Sequence, residues 1–273
     1  MTHHPCYFYK GNIDFNKTKV LSVVGTRNAT DYGKVFCDMF IEQLQKHNVQ
    51  IVSGLAYGID IHAHKGALKN NLSTVAVLAH SLDRLYPSTH KPIAEKMLEQ
   101  GGLVTEFISE TKPDRENFPQ RNRIVAGMCD AVIVVEAALK GGALITAEIA
   151  SSYNRDVFVL PGRINDIYSQ GCNRFIKTNK GVMIESAADI EFNLGWDLEE
   201  KTASKKQIQK TLLIDLTGEE QTMMSYLETN GRQDIDNISI YCNVPVSKIA
   251  ATLLSLEFKG ALRSLPGKVY ELL

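Results

Sequence analysis

The chain has 273 residues, of which 44% are hydrophobic and 22% charged, and its formal net charge at pH 7 is -1. This composition is typical of a globular protein with one large and one small domain. No run of about 18 apolar residues and no signal-peptide pattern occurs, so we expect a cytoplasmic protein without a membrane segment. The near-neutral charge excludes a protein that coats nucleic acid by bulk attraction, so any nucleic-acid site must be local.

Seven short apolar runs rich in β-branched residues recur along the first two thirds of the chain, separated by intervals of helical length. Uninterrupted apolar strands indicate a sheet covered on both faces, and their alternation with helices indicates parallel strands. The pattern predicts an α/β fold over residues 1–195, with a doubly wound, mainly parallel Rossmann-like sheet. The predicted strands are residues 21–24, 50–53, 74–78, 103–106, 131–136, 157–160 and 182–184.

A polar stretch over residues 196–210 predicts a linker, and residues 211–273 predict a second, small domain. Thr217 and Glu220 have the spacing of a capping box, which predicts a helix to about residue 228. Further helices are predicted after Asp234, through residue 242, and over 246–259. A hairpin over 261–272, turning at Pro266-Gly267, completes the pattern of a winged helix.

The sequence predicts no metal site and no cofactor. The five cysteines are scattered without a Cys-x-x-Cys pair, which favours buried reduced thiols. Asp60 and His64 are spaced to share a helix face and could hold a metal, but no third ligand is evident. Packing or capping is the alternative interpretation of these two residues.

Ligands of doubly wound sheets bind beyond the carboxyl ends of the strands, where helix N-termini offer unpaired N–H groups. In the first such loop, Arg27 occupies a position where a dinucleotide-binding fingerprint needs glycine. Its side chain could bind a phosphate on the outside of the loop, or form a salt bridge to a neighbouring loop. The second loop, residues 53–60, has two glycines that favour exposed N–H groups.

The segment 113–124 brings three arginines, a phenylalanine and an asparagine together. Cations along the backbone and aromatics beneath the bases are what hold single-stranded nucleic acid, so this mixture predicts such a site. The alternative is that Phe118 anchors the core and the arginines form a solvated face. In the last loop, Lys140 supplies a charge and Gly141-Gly142 supply N–H groups at a helix start. Convergence of four loops at one sheet edge favours anion binding.

Six motifs occur in a specific order: Val24-Gly-Thr-Arg, Ser53-Gly-Leu-Ala-Tyr-Gly-Ile-Asp, Ala63-His-Lys-Gly-Ala-Leu, Phe118-Pro-Gln-Arg-Asn-Arg, Val134-Val-Glu-Ala and Pro161-Gly. Through them the chain resembles the bacterial DNA-processing protein A family (DprA/Smf) over residues 5–189. The resemblance implies a Rossmann-like domain that binds single-stranded DNA, forms a homodimer and delivers the strand to the RecA recombinase in natural transformation or recombination. It implies no enzymatic activity.

Carried over at matching positions, the resemblance implies a set of DNA-binding residues in the loops described above. They are Arg27, Ser53, Gly54, Arg115, Phe118, Arg121, Asn122, Arg123, Lys140, Gly141 and Gly142. The family usually has Ser-Gly-Ser where this chain has Lys140 to Ala143, so a hydroxyl contact is lost and a charge gained. The helical domain that many members carry ahead of this fold is not expected here, whether by nature or by truncation.

Two other functions compete with DNA binding. Gly141-Gly142, Thr146 and Glu148 loosely resemble the loop of Rossmann-like nucleoside-monophosphate hydrolases, but the spacing differs and no second acid or base lies nearby. A nucleotide-binding sensor without catalysis is the other alternative. A sensor is expected to bind a mononucleotide tightly and to ignore oligonucleotides.

Overall fold

The computed structural model describes residues 7–196, 217–265 and 269–273. It divides the chain into two compact units, residues 1–198 and 199–273. The Pro266-Gly267 turn, residues 197–210 of the predicted linker and Cys6 lie outside the described residues. Each unit has its own hydrophobic core and is described separately below.

The first unit is built on a sheet of eight strands in the order β1-β5-β4-β3-β2-β6-β7-β8. Strand β1 pairs antiparallel with β5, and every other neighbouring pair in this sheet is parallel. The predicted α/β class is thus confirmed. The strands are β1 Phe8–Gly11, β2 Val20–Val24, β3 Gln50–Ser53, β4 Thr74–Val77, β5 Gly101–Thr105, β6 Ala131–Val134, β7 Asp156–Val159 and β8 Val182–Met183.

Seven helices connect these strands and cover both faces of the sheet. Their starts follow local capping chemistry: the Thr30 hydroxyl accepts from the Gly33 amide at the start of α1, and the Asp166 carboxylate accepts from the Tyr168 amide at the start of α6. The helices are α1 Asp31–Gln43, α2 Ile59–Lys69, α3 Lys91–Gln100, α4 Asn117–Gly127, α5 Gly142–Ser152, α6 Ile167–Lys177 and α7 Ala187–Asn193.

Alternate residues of the central strands pack on opposite sides of the sheet. Leu21 and Val23 of β2 belong to one buried cluster, whereas Val20 and Val24 belong to another. This division explains why the strands read as uninterrupted apolar runs, because both faces are covered by helices. Trp196 is 5% exposed within the first cluster. The first unit therefore extends one residue into the segment that we predicted as a linker.

The strand order reverses beside β2. From β2 the chain moves outward through β3, β4 and β5, and then returns to place β6 on the other side of β2. The loops that follow β2 and β6 consequently diverge to opposite faces of the sheet. Such a switch point opens a crevice at the carboxyl ends of the strands, which is where doubly wound folds bind ligands.

The described part of the second unit, residues 217–265 and 269–273, contains three helices, α8 Gly218–Asn230, α9 Ile235–Cys242 and α10 Val246–Phe258. A three-stranded antiparallel sheet accompanies them: β9 Gln233–Asp234, β10 Leu262–Leu265 and β11 Val269–Leu272, in the order β10-β11-β9. The capping box forms, with the Thr217 amide donating to Glu220 at 2.8 Å and the Glu220 amide donating to the Thr217 hydroxyl at 3.4 Å. The predicted winged-helix pattern is confirmed.

Within the described ranges, no single helix is long and apolar enough to cross a membrane. Helices α9 and α10 reach the required length and hydropathy only together, across a bend of 107°. Ile238 of α9 and Ile249, Leu253 and Leu256 of α10 are fully buried in the core of the winged helix.

Candidate functional site

A cleft of about 370 Å³ opens at the switch point of the sheet. The loops after β2, β3 and β6 and the first half of α4 form its walls. Two arginines and one carboxylate line it, together with glycines, alanines and a phenylalanine. The residues that carry its chemistry are Arg27, Gly54, Asp60, Phe118, Arg121, Asn122, Gly141 and Gly142. Seven of these eight residues are in the predicted DNA-binding set, and Asp60 is the exception.

The loop after β2 holds Arg27 at the mouth of the cleft. The Thr26 amide donates to the Glu136 carbonyl at 2.7 Å, and the Thr26 carbonyl accepts from the Ile59 amide at 3.1 Å. Gly58 has a φ of +78°, and a Cβ there would lie 2.6 Å from the carbonyl carbon of Arg27. Only glycine allows both that conformation and that approach. The backbone of Arg27 is therefore fixed, while its side chain is exposed.

The buried carboxylate of Glu136 holds the same loop in place through hydrogen bonds. Glu136 is 1% exposed, and its side chain accepts from the Thr30 amide at 2.9 Å and from the Thr30 hydroxyl at 2.5 Å. A charged acceptor makes these bonds stronger than neutral ones. Glu136 follows β6, so the pair ties the loop after β2 to the loop after β6 across the switch point.

A buried histidine fixes Gly54 on the opposite wall. His64 Nε2 lies 2.6 Å from the Gly54 carbonyl, which can only accept, so Nε2 carries the proton. Its Nδ1 lies 2.7 Å from the Thr74 hydroxyl. Burial lowers the pKa of His64 to about 4, so the ring is neutral near pH 7. His64 thus packs and bonds within the fold, as the alternative to metal binding proposed.

The floor of the cleft is a buried pair, Asp60 and Arg121. Arg121 is 6% exposed and its guanidinium donates to the Val77 carbonyl. Asp60 accepts from the Ala56 amide at 3.3 Å, and burial raises the pKa of this carboxyl while Arg121 opposes the rise. Both side chains lie against Gly54, where a Cβ would come 2.5 Å from Nη1 of Arg121. Gly54 is therefore glycine because the pair occupies its side-chain space.

Arg27 and Phe118 form the outer rim. The Arg27 guanidinium carbon lies 5.2 Å from the centroid of the Phe118 ring, which is a cation–π distance. No carboxylate among the described residues pairs with Arg27, so the predicted alternative of a salt bridge to a neighbouring loop is wrong. Phe118 is half-buried. It is neither a core anchor nor a fully open platform.

The N-terminus of α5 faces the cleft from the β6 side. Gly141 is its cap residue and no side chain bonds to the first turn. The amides of the first turn of a helix have no partner within the helix, and the helix dipole adds partial positive charge there. Lys140 is exposed on the residue before the cap. This end of the cleft offers N–H donors to an anionic group, and Lys140 lies outside the cleft lining, on the surface beside it.

Four of the predicted site residues are buried, held inward or placed outside the cleft. Ser53 is fully buried, its hydroxyl donates to the Val23 carbonyl at 2.6 Å, and it does not line the cleft, so its role in DNA binding stays a prediction. Arg121 lines the cleft but is held inward, and its Nε is buried without a hydrogen-bond partner among the described residues. Arg123 pairs with Glu106 outside the cleft. Arg115 is exposed, also outside it.

Sequence reasoning missed the residues that support the walls and floor of the cleft. Asp60 and His64 were each considered only as a metal ligand or as an unspecified packed or capping residue. Thr26, Ala137 and Thr146 also line the cleft. The signal that could have found Asp60 is its position in the first turn of α2, directly after a glycine loop, where a carboxylate is stabilised by free amides.

Within the described ranges, no group of three or more His, Cys, Asp or Glu side chains could hold a metal ion. Cys37, Cys129 and Cys172 are buried and free, and Cys242 is partly buried and free. Glu148, the carboxylate of the hydrolase-like pattern, is exposed and pairs with Lys180 at 2.9 Å. It does not line the cleft, whereas Asp60 does.

The fold and site define a class of protein: a Rossmann-like domain with a cleft at its switch point, followed by a winged helix. The family described as DNA recombination-mediator protein A matches residues 1–194, and the DprA winged helix domain matches residues 209–268. The chain belongs to the DNA recombination-mediator protein A family. The resemblance inferred from the six motifs is confirmed.

Individual relatives agree with this assignment. The chain is 35% identical to Protein Smf of Escherichia coli over 95% of this chain and 70% of that protein. It is 40% identical to DNA processing protein DprA of Streptococcus pneumoniae over 67% of this chain and 64% of that protein. The chain therefore spans between about half and two thirds of the length of several curated relatives.

Two solved structures share the fold. The crystal structure of DNA processing protein A from Streptococcus pneumoniae has a TM-score of 0.64 and 39% identity, covering 67% of this chain and 64% of that chain. The protein of the same name from Helicobacter pylori has a TM-score of 0.66 and 29% identity, covering 72% of this chain and 90% of that chain. The latter structure concerns the single-stranded DNA binding mode of that protein.

Proposed function

We propose that this chain binds single-stranded DNA in the cleft at the switch point of its Rossmann-like sheet. The observation that carries the proposal is the arrangement of Arg27 above Phe118, facing the uncapped N-terminus of α5. Cations and free amides suit the phosphates, and an aromatic ring suits a base. The single-stranded DNA binding mode of the Helicobacter pylori relative supports the same assignment.

The proposed contact set is smaller than the set carried over from the family. Arg27, Lys140, Gly141 and Gly142 meet phosphates, and Phe118 and Asn122 meet the base or sugar. Arg121 supports the floor, and Ser53 is left out because its hydroxyl is buried and bonded. Arg115 and Arg123 lie beside the cleft, where they can guide the strand beyond it.

The biological role proposed for this activity is delivery of the strand to the RecA recombinase during transformation or recombination. This step, a homodimeric state and a cytoplasmic location follow from the family resemblance. The chain is proposed to act without catalysis. The exposed Glu148–Lys180 pair supports this, because a carboxylate outside the cleft cannot be poised against a bound substrate.

A binding titration tests the proposal directly. Labelled single-stranded and double-stranded DNA are titrated with the protein at low and high salt. We expect preference for the single strand, tolerance of sequence and loss of affinity with salt, because phosphate contacts release counterions. Equal affinity for the duplex, or affinity independent of salt, contradicts the proposal. Tight binding of a mononucleotide with no oligonucleotide binding identifies a sensor, and free base released from nucleoside monophosphates identifies a hydrolase.

A further inference from the structure

Two exposed tyrosines stand beside the cleft, on the far side of Phe118. Tyr57 and Tyr86 are 49% and 48% exposed. They line a shallow hollow of about 20 Å³ that shares Arg27, Phe118 and Arg121 with the cleft. The hollow is too small to enclose a ligand, so what it offers is the open surface of the two rings. We call this pair, Tyr57 and Tyr86, the tyrosine platform.

Tyr57 is held in place although half of its surface is open. Its hydroxyl lies 3.1 Å from the Thr89 hydroxyl, and its ring packs edge-to-face on His90 with centroids 4.8 Å apart. His90 is itself buried, with Nδ1 2.9 Å from the Leu55 carbonyl. A ring fixed in this way loses little rotamer freedom on binding, which favours it as a contact.

Tyr86 is fixed by a second buried histidine. Its amide donates to His80 Nε2 at 3.2 Å, so that Nδ1 carries the proton donated to the Ser81 carbonyl at 2.8 Å. The Tyr86 ring contacts Phe118 edge-on, with centroids 6.4 Å apart and an angle of 60° between planes. The platform therefore continues directly from the aromatic residue of the cleft.

Phe118 is half-buried and offers only part of its ring to a base. Arg27 covers the ring at 5.2 Å and Tyr86 contacts its edge. A base bound in the cleft would therefore lie near Arg27. The next exposed aromatic rings along the surface are those of the tyrosine platform. Every base has a π-face, so such a surface binds successive bases without regard to sequence. Arg27, exposed between cleft and platform, is placed to meet the intervening phosphate.

We propose that the tyrosine platform is a second subsite of the DNA site, on which the bases flanking the cleft-bound nucleotide stack. This inference rests on the proposed binding of single-stranded DNA. The occupant is single-stranded nucleic acid rather than a peptide, because the platform is continuous with the phosphate-binding cleft and the cation next to it suits a polyanion. The strand crosses from the N-terminus of α5, past Arg27 and Phe118, onto Tyr86 and Tyr57.

The test uses the full chain and a series of oligothymidines of about 4 to 16 nucleotides, the range of site sizes for single-strand-binding folds. Tyr57→Leu and Tyr86→Leu keep apolar bulk but remove the aromatic face. We expect each to weaken binding of the longer oligonucleotides by about 5- to 150-fold, and to leave the shortest ones unchanged. Tyr86→Phe restores the ring and is expected to restore affinity.

Tyr153 is the matched control, since it is also 48% exposed but lies on the far end of α5. Tyr153→Leu should bind every length as the unsubstituted protein does. The inference is overturned if the folded double variant Tyr57→Leu/Tyr86→Leu binds all lengths normally, as it would if the platform held a protein partner, or if Tyr86→Phe is as weak as Tyr86→Leu. If the unsubstituted protein binds no length, the proposed function itself has failed.

Discussion

The cations of the two units differ in what they can reach. Around the cleft, Arg27, Arg115 and Lys140 are exposed and have no carboxylate partner among the described residues. In the winged helix every described cation is paired with an acid of its own unit. The pairs are Arg232–Glu271, Arg263–Glu271, Lys248–Glu219 and Lys259–Glu220.

This difference shows why net charge alone is a poor guide to a nucleic-acid site. From residue 217 onward the chain has seven acids and five bases, and the whole chain is close to neutral. What matters for phosphate binding is whether a cation already has an anionic neighbour, since a paired cation must give up that neighbour first. The described basic residues of the winged helix are paired with acids of the same unit. In the Rossmann-like unit, several cations around the cleft have no carboxylate partner among the described residues.

The largest effect is expected where a cation of the first unit is buried beside a carboxylate. Arg121→Leu leaves Asp60 buried without its partner, so we expect a loss of roughly 3–5 kcal/mol in the free energy of unfolding. Urea denaturation followed by the fluorescence of Trp196, the single tryptophan, measures it. The matched variant in the second unit, Arg263→Leu, removes an exposed pair and should leave the denaturation curve unchanged. Equal curves for both variants contradict the assignment of Arg121 to the floor.

Acid should affect the first unit before the second. His64 has a pKa of about 4 in the fold, below its usual value of 6.5, so the unfolded chain binds the extra proton first. Stability is therefore lost as pH falls from about 6.5 to about 4, by roughly 3 kcal/mol for this group. In the winged helix, Lys259 holds the pKa of Glu220 at about 2, so its contribution is lost only below about 4.5.

Trp196 fluorescence reports the first unit, and circular dichroism reports both units. We expect the fluorescence transition to begin at higher pH. Asp60 has a raised pKa and changes stability in the opposite direction, so His64→Gln serves to isolate the histidine. An identical pH dependence for His64→Gln and the unsubstituted protein between pH 4 and 6.5 would rule out His64 as the source.

The backbone of both units was largely predictable because it follows from local patterns. All seven predicted strands form, with ends within two residues of those observed, and the Thr217 and Asp234 caps begin the predicted helices. Strand β1 was missed because all four of its residues are exposed, so no alternation of buried and exposed positions marks it as a strand. It exists because β5 offers an open edge, which is a property of the assembled sheet.

The site was predictable only in part, because side-chain direction depends on tertiary contacts. Arg121 and Arg123 lie two residues apart on α4, so they must point to different sides of the helix. Which of them faces the cleft depends on Asp60 of α2 and Val77 of β4, which lie far from α4 in sequence. Ser53 ends a strand buried on both faces, where periodicity cannot distinguish the cleft from the core.

A smaller effect is expected from removing the open cations one at a time. Arg27→Ala and Lys140→Ala should each reduce affinity for all sequences similarly, since phosphates carry no sequence information. Each lost contact should lower the slope of log affinity against log salt by about 0.7, the value for single strands. Titration at three salt concentrations measures the slope. Lys180→Ala is the control, because that side chain pairs with Glu148 and does not line the cleft.

The smallest effect is expected in the winged helix, although such folds commonly place a helix in the major groove of DNA. Helix α10, the counterpart of a recognition helix, ends in Lys259, which is bound to Glu220 at 2.7 Å, and its Lys248 is bound to Glu219 at 2.5 Å. Lys248→Ala, Arg232→Ala and Arg263→Ala should therefore leave single-strand affinity and salt slope unchanged. Deletion from Leu212 onward should likewise retain most of the affinity, with Trp196 fluorescence checking that the first unit remains folded. If the three substitutions together lower the salt slope as much as Arg27→Ala does, these ion pairs open on DNA and the winged helix shares the strand. A truncated but folded chain that has lost nearly all binding would place the principal DNA site in the second unit, because every cation of the cleft would still be present.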